Sequence, residues 1–299
     1  MLTVGVPTFN RGNSVARLAC HMSGATSQGN FEVVVIDDGS QDATLDLLSQ
    51  AAATDGMRVE SNPRNLGYSR TFLRLFEECQ TEYLLVAADD DCVDIDVVVE
   101  LREWLPSARP DLVSTQWHSR TGDIRRGRSK TGPIDPADFW ACAAHAPGLV
   151  YRVGACRSAL AILRELLDEG SEIAVTYPQV VVTAVLLASG GQCMWWAGAP
   201  VNEGDGFETG LIDAAGEPYW ALSPRLRQHV SLAALLVDLD APASMQAAHD
   251  KLLYPMVRKS LGTLQPGLED TLDAGARRHL RRSLAIRLLR PLMQHVLRR

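Results

Sequence analysis

Over the first 117 residues, short apolar runs recur with a helix-length segment between each pair. The runs are LTVGV (2–6), FEVVVID (31–37), MRVES (57–61), YLLVAA (83–88) and DLVSTQW (111–117). Each is partly β-branched and bounded by Gly, Pro, Asn or Asp, the marks of a strand. The stretches between them, 14–25, 42–53, 67–79 and 94–105, read as helices. A strand that is apolar on both faces must be covered on both faces, and a helix after each strand supplies the cover. The alternation therefore predicts a Rossmann-like α/β domain built on a parallel sheet.

In such sheets ligands bind beyond the carboxyl ends of the strands. The segments at those ends are PTFNR (7–11), DDGSQDAT (37–44), NPRNLGYSR (62–70) and DDDCVD (89–94). All are loop formers rich in carboxylates, amides and Gly, and the fold brings them onto one rim. Asp89, Asp90 and Asp91 stand side by side with no cation beside them in the sequence. Such groups repel one another unless something positive neutralises them. A solvated turn and a cation site both answer that problem. Asp38-Gly39-Ser40 is equally an ordinary turn or a hydroxyl acceptor beside a close backbone approach. Asp42 suits a helix cap.

Taken together and in this order, VGVPTFNR, VVVIDDGSQDAT, NPRNLGYSR and YLLVAADDD resemble the nucleotide-sugar-binding half of family 2 glycosyltransferases with the GT-A fold. The resemblance implies a GT-A (Rossmann-like) nucleotide-sugar-binding domain over 1–215, with a donor half at 1–110 and an acceptor half at 111–215. A mostly helical C-terminal extension over 216–299 follows. It implies a donor site made of Pro7, Thr8, Phe9, Asn10, Arg11, Asp37, Asp38, Asn65, Gly67, Arg70, Asp89 and Asp90. It also implies a divalent metal, Mg²⁺ or Mn²⁺, held by Asp91 and Asp89 on the diphosphate. Hard oxygen ligands suit such an ion, and the ion stabilises the charge that develops on the leaving group. The expected activity is metal-dependent hexosyl or deoxyhexosyl transfer from a nucleotide diphosphate sugar to a saccharide, lipid-linked or small-molecule hydroxyl acceptor. Glycan, surface polysaccharide or glycosylated natural-product synthesis would use it.

One part of the pattern departs. Inverting members carry a catalytic base, the Asp of a Glu-Asp pair, at the entry of a helix that corresponds here to 180–191. The entry in this chain is Tyr177-Pro178-Gln179 and holds no carboxylate. Asp205 and Glu172 are the candidate catalytic bases, with Glu203 as a further acid in the NEGDGFETG loop (202–210), a segment that suits a lid. The YPQ entry and the GDGF loop resemble the abequosyltransferase-like and related deoxysugar transferases. Trp117, Trp140, Tyr177, Trp195 and Trp196 are either core or faces for a sugar. His118 and His145 lack ligand spacing.

Charge and cysteines bound the alternatives. The formal charge is −7, although residues 277–299 carry eight arginines and no acid. The body is therefore acidic, which excludes a general nucleic-acid binder. The tail, with Leu280, Leu284, Leu288 and Leu292 on one helical face, fits peripheral membrane contact or dimerisation. Six cysteines without CxxC spacing read as free thiols of a cytoplasmic protein. MLTVGVPTFN does not read as a secretory leader, and no apolar run approaches a membrane span. Two rival functions remain at this level. A sugar nucleotidyltransferase would carry a Gly-rich basic loop after its first strand, which PTFNRGNS is not. A non-catalytic nucleotide-sugar-binding or scaffold protein would explain the missing Glu-Asp pair.

Overall fold

A computed structural model describes residues 1–27, 31–55, 57–204, 218 and 221–263. Strands β1 (Leu2–Thr8), β2 (Glu32–Asp37), β3 (Arg58–Ser61) and β4 (Tyr83–Val86) alternate with helices α1 (Gly12–Ser27), α2 (Thr44–Asp55) and α3 (Tyr68–Glu78). Then come β5 (Cys92–Val93), α4 (Ile95–Ala108), β6 (Leu112–Thr115), β7 (Trp117–His118), β8 (Ile124–Arg126) and β9 (Gly132–Pro133). The chain continues through α5 (Phe139–Ala143), β10 (Leu149–Arg152), α6 (Arg157–Asp168), α7 (Glu172–Thr176) and α8 (Pro178–Ala188). It goes on to β11 (Cys193–Trp196), β12 (Val201–Asn202), α9 (Leu222–Asp238) and α10 (Ala243–Thr263).

The main sheet has the order β3-β2-β1-β4-β10-β6-β11-β9. β3, β2, β1 and β4 are mutually parallel, as the apolar runs predict. β10 breaks the pattern: it lies antiparallel between β4 and β6. Only the five-residue α5 precedes this four-residue strand, and the antiparallel pairing breaks the strand–helix alternation that marks the others. Successive strand residues face opposite ways, and the two cores follow that period. Val34 and Ile36 pack with α3, α6 and α8 on one face, while Val33 and Val35 pack with α1, α2 and α4 on the other. Trp195 and Trp196 split in the same way, one into each core. The donor and acceptor halves expected from sequence thus share one continuous sheet.

Helix starts follow local chemistry. Asp94 caps α4 by accepting from Val97 N, and Pro178 fills the first turn of α8, where its missing N–H costs nothing. Asp42 accepts from Thr44 N at 3.0 Å where α2 begins, in keeping with a capping role. Among the described residues no helix is long and apolar enough to cross a membrane. All six cysteines are free.

Candidate functional site

α1 and α2 carry the chain from β1 outward to β3, and α3 carries it back past β1 to β4. The strand order reverses at β1, so the loops leaving β1 and β4 part to form a crevice. Thr8 closes β1, Asp89 follows β4, and Thr8 Oγ1 donates to Asp89 Oδ2 at 2.6 Å. This bond joins the two lips of the crevice across 81 residues of chain.

The loops after β1, β2 and β3 are tied to one another. Asn10 adopts a left-handed conformation (φ 52°), which an amide side chain tolerates. Its N–H donates to Ser40 Oγ and its Oδ1 accepts from Gln41 N, each at 2.8 Å. Arg11 N donates to Thr44 Oγ1 at 2.9 Å. Asp37 and Asp38 are both buried. Asp37 accepts from Ser40 N and Ser61 Oγ, both at 3.1 Å. Asp38 Oδ1 accepts from Asn62 Nδ2 at 2.7 Å and Leu66 N at 2.9 Å, while its Oδ2 accepts from Gly67 N at 2.9 Å. Asn65 Oδ1 also accepts from Gly67 N. Gly39 (φ 72°) passes so close to this loop that a Cβ would lie 2.4 Å from the Arg64 carbonyl carbon. Pro7 lies within β1, and Phe9 stands 38% exposed beyond it.

The aspartate triplet is built differently. Arg11 Nη1 lies 2.9 Å from Asp90 Oδ2 and 3.9 Å from Asp89 Oδ1, so the cation absent from the local sequence arrives from the loop after β1. Asp91 Oδ2 accepts from Ala88 N at 2.8 Å. Burial pushes Asp91 up to about 8; the Ala88 N–H pulls it back, and the charges of Asp90 and Asp89 add to the rise. Burial likewise pushes Asp89 up to about 6, against the Thr8 hydroxyl and the Arg11 guanidinium. Burial therefore disfavours the charge of this loop even with Arg11 in place. Among the described residues no three His, Cys, Asp or Glu side chains group around one metal position. Two carboxylates that leave the remaining positions to phosphate oxygens and water fit Mg²⁺ or Mn²⁺ rather than a metal caged by protein alone.

Several expected residues lie elsewhere or are otherwise engaged. Arg70 pairs with Asp168 on α6 at 2.9 Å, with the two side chains 42% and 64% exposed. Such a pair contributes little to stability. Glu172 pairs with Arg227 of α9 at 3.2 Å. Glu203 donates its N–H to His118 O, and its carboxylate accepts from Arg120 N at 3.2 Å. A Cβ on Gly204 would lie 1.9 Å from the Asp90 carbonyl oxygen, so the chain after β12 packs directly on the aspartate loop. Asp205, most of the 202–210 loop and the basic tail 277–299 lie outside the described residues. Gln179 is 3% exposed in the first turn of α8, and its Oε1 has no partner. Sequence reasoning missed Asn62, the Thr8–Asp89 bond and a buried arginine, Arg126. Asn62 begins the NPRN loop, and that turn signal was its only local mark.

Residues 3–149 match the profile described as glycosyl transferase family 2. Two curated relatives share the name undecaprenyl-phosphate 4-deoxy-4-formamido-L-arabinose transferase. The one from Pseudomonas fluorescens is 29% identical over 147 residues, and the one from Aeromonas hydrophila 30% over 134. Each match takes in 43% of this chain but only 42% and 38% of the relative, so the chain spans about two fifths of their length. Among solved structures, S. aureus TarS 1–349 in complex with UDP-GlcNAc matches with a TM-score of 0.62 at 14% identity. That match covers 93% of this chain and 78% of the other. The mannosyltransferase PcManGT from Pyrobaculum calidifontis, in complex with GDP-Man and Mn²⁺, gives 0.53 at 15% identity over 98% and 82%. At these identities the likeness is one of fold, and the fold is GT-A.

Proposed function

We propose, from the match of residues 3–149 to glycosyl transferase family 2, that the protein transfers a sugar from a nucleotide diphosphate sugar to an acceptor with the help of Mg²⁺ or Mn²⁺. The observation that carries this is the state of Asp89 and Asp91. Both stand in the crevice where the strand order reverses, and both are held above the usual carboxylate range by burial. Asp89 and Asp91 would hold a divalent ion, which would offset that cost and supply Lewis-acid stabilisation of the leaving diphosphate. Thr8 fixes Asp89, the Ala88 N–H fixes Asp91, and Arg11 offers its guanidinium to the same anion. The loops of Asp37, Asp38, Asn65 and Gly67 shape the nucleoside pocket, with Phe9 at its edge. In this reading residues 1–110 serve the donor and 111–215 the acceptor.

The proposed acceptor is lipid-linked, in keeping with the undecaprenyl-phosphate named for both relatives. The basic segment 277–299 would then meet the membrane surface that presents it. Asp205 is the proposed base if the acceptor is a hydroxyl: it follows Gly204, whose backbone packs on Asp90. Glu172, paired with Arg227, is the second candidate. Full transfer activity in both Asp205→Asn and Glu172→Gln would remove both from the mechanism. The unpartnered Gln179 at the entry of α8 favours one second reading, a donor-binding protein without transfer activity.

Thermal unfolding with UDP, GDP, CDP and dTDP, each with and without Mn²⁺, tests the donor site. One of them should raise the melting temperature only when the metal is present. If none does, the donor-site reading is wrong.

A further inference from the structure

Arg126 ends β8 and pairs with Trp117 of β7, yet its side chain is turned inward and the residue is 6% exposed. Nε donates to Thr115 O at 3.1 Å, Nη1 to His145 O at 2.5 Å and Nη2 to Pro147 O at 2.6 Å. All three acceptors are neutral carbonyls. Among the described residues no carboxylate comes within 4.0 Å of this guanidinium. Room for it depends on Gly148 (φ 80°), where a Cβ would lie 2.6 Å from Nη2. Burial lowers Arg126 to about 10, which leaves it a cation at neutral pH. Burying an unpaired guanidinium costs several kcal/mol, of which carbonyl hydrogen bonds offset only a part.

Of the groups that favour its cationic form, after Cys142 and Tyr151, Asp91 is the one carboxylate. Asp91 and Arg126 interact electrostatically, each favouring the other's ionised form. The backbone explains their proximity. Gly148 N donates to Val86 O at 2.8 Å, and Ala88, two residues on, gives its N–H to Asp91. The shelf that holds Arg126 is thus bonded to the strand end that carries the aspartates. Arg11 approaches the same loop through Asp90. The aspartate loop is therefore met by Arg11 at Asp89 and Asp90 and interacts with Arg126 through Asp91.

We propose that Arg126 is a positioning residue for the donor's diphosphate, a fixed buried cation that makes the divalent ion and the diphosphate bind as a pair. The proposal rests on the donor-site reading above. A cation beside Asp91 repels a divalent ion arriving alone and attracts a diphosphate. Each ligand neutralises what the other meets, so each binds more tightly when both are present. The empty aspartate loop is then a poor metal site by construction, and the metal enters with the donor.

The test uses Arg126→Gln in the full chain at pH 8.5. Mn²⁺ alone is followed by electron paramagnetic resonance. The nucleoside diphosphate that wild type binds, out of UDP, GDP, CDP and dTDP, is titrated calorimetrically with Mn²⁺ present. Removing one unit charge at an effective dielectric of ~20 should change each affinity roughly tenfold, in opposite directions. Arg126→Gln should bind Mn²⁺ alone more tightly and the nucleoside diphosphate more weakly. A structural role would weaken both ligands together, and that outcome, or no change in either, overturns the proposal. Should Arg126→Gln fail to fold, wild type still decides. Mn²⁺ bound as tightly without nucleotide as with it would exclude the coupling. A wild type that binds no nucleoside diphosphate defeats the donor-site reading itself, whereas binding with same-sign changes in the variant defeats only the role of Arg126.

Discussion

Asp37–Asp38 and Asp89–Asp91 both follow apolar strands, lie on one rim of the sheet, and read alike as letters. Their oxygens are spent differently. Asp38 accepts three hydrogen bonds from the loop after β3, and Asp37 is held by Ser40 and Ser61. That pair is scaffolding, which sets where the loops of the pocket run. Among the described residues Asp89 accepts from the Thr8 hydroxyl and Asp91 from the Ala88 N–H, and burial opposes their charge. Carboxylates whose needs are met inside the chain contribute to stability; those left short are the ones assigned to a ligand in the function proposed above.

The sharpest way to break this contrast is to remove one carboxylate from each group. Asp38→Ala strands the Leu66 and Gly67 N–H groups and the Asn62 amide. Hydrogen bonds to a charged group contribute about 1.5–3 kcal/mol each in favourable cases. Partial rescue by water brings the expected cost to about 3 kcal/mol in urea unfolding. Asp91→Asn in the absence of metal should leave stability unchanged or raise it, because it removes a carboxylate that burial disfavours. Equal losses in the two variants would mean that the pairs do not differ as described.

The next largest effect concerns ligand binding. Asp91→Asn should lower metal-dependent binding of the nucleoside diphosphate about hundredfold, the upper end of what disturbing even an outer-shell group of a metal site costs. Calorimetry with and without Mn²⁺ measures it. A variant that keeps its metal response would shift the ligand role to Asp89 and Asp90.

The strand–helix frame from β1 to β6 was legible because apolar runs and helical stretches are local signals. The contrast between the two acidic groups was not, since Asp38 and Asp89 find partners 24 to 81 residues away. Asn62 and Leu66 reach Asp38, whereas Thr8 and Arg11 reach Asp89 and Asp90. β10 escaped because a four-residue antiparallel strand breaks the strand–helix rhythm that marked the others. Arg126 escaped for a related reason. Arg125, Arg126 and Arg128 sit in one basic run, and only the pairing of β7 with β8 turns the middle one inward. Composition marks such a run as a solvated face, which is correct for two of the three.

The smallest effect is also the most specific. Asp91 is held up to about 8 in the folded protein, against 3.8 as its ordinary value. Between those values the folded state binds a proton that the unfolded state has released. The contribution is therefore complete below the ordinary carboxylate range and is lost as pH rises through about 8. His145 and His229, which burial pushes down to about 3 and about 4, work the other way, but only below the ordinary histidine range. From pH 7 to 8.5 they are neutral in both states and drop out. Metal-free protein should thus melt lower at pH 8.5 than at pH 7. The difference should be a few degrees, at roughly 2–4 °C per kcal/mol for a domain of this size class. Asp91→Asn keeps every other titrating group, so it should flatten the slope and isolate the contribution of this carboxyl. Mn²⁺ with the bound nucleoside diphosphate should reverse the slope, because the ion replaces the proton and favours the ionised form. A variant with the wild-type slope would show that Asp91 is ionised without help, and the contrast with Asp38 would lose its electrostatic basis.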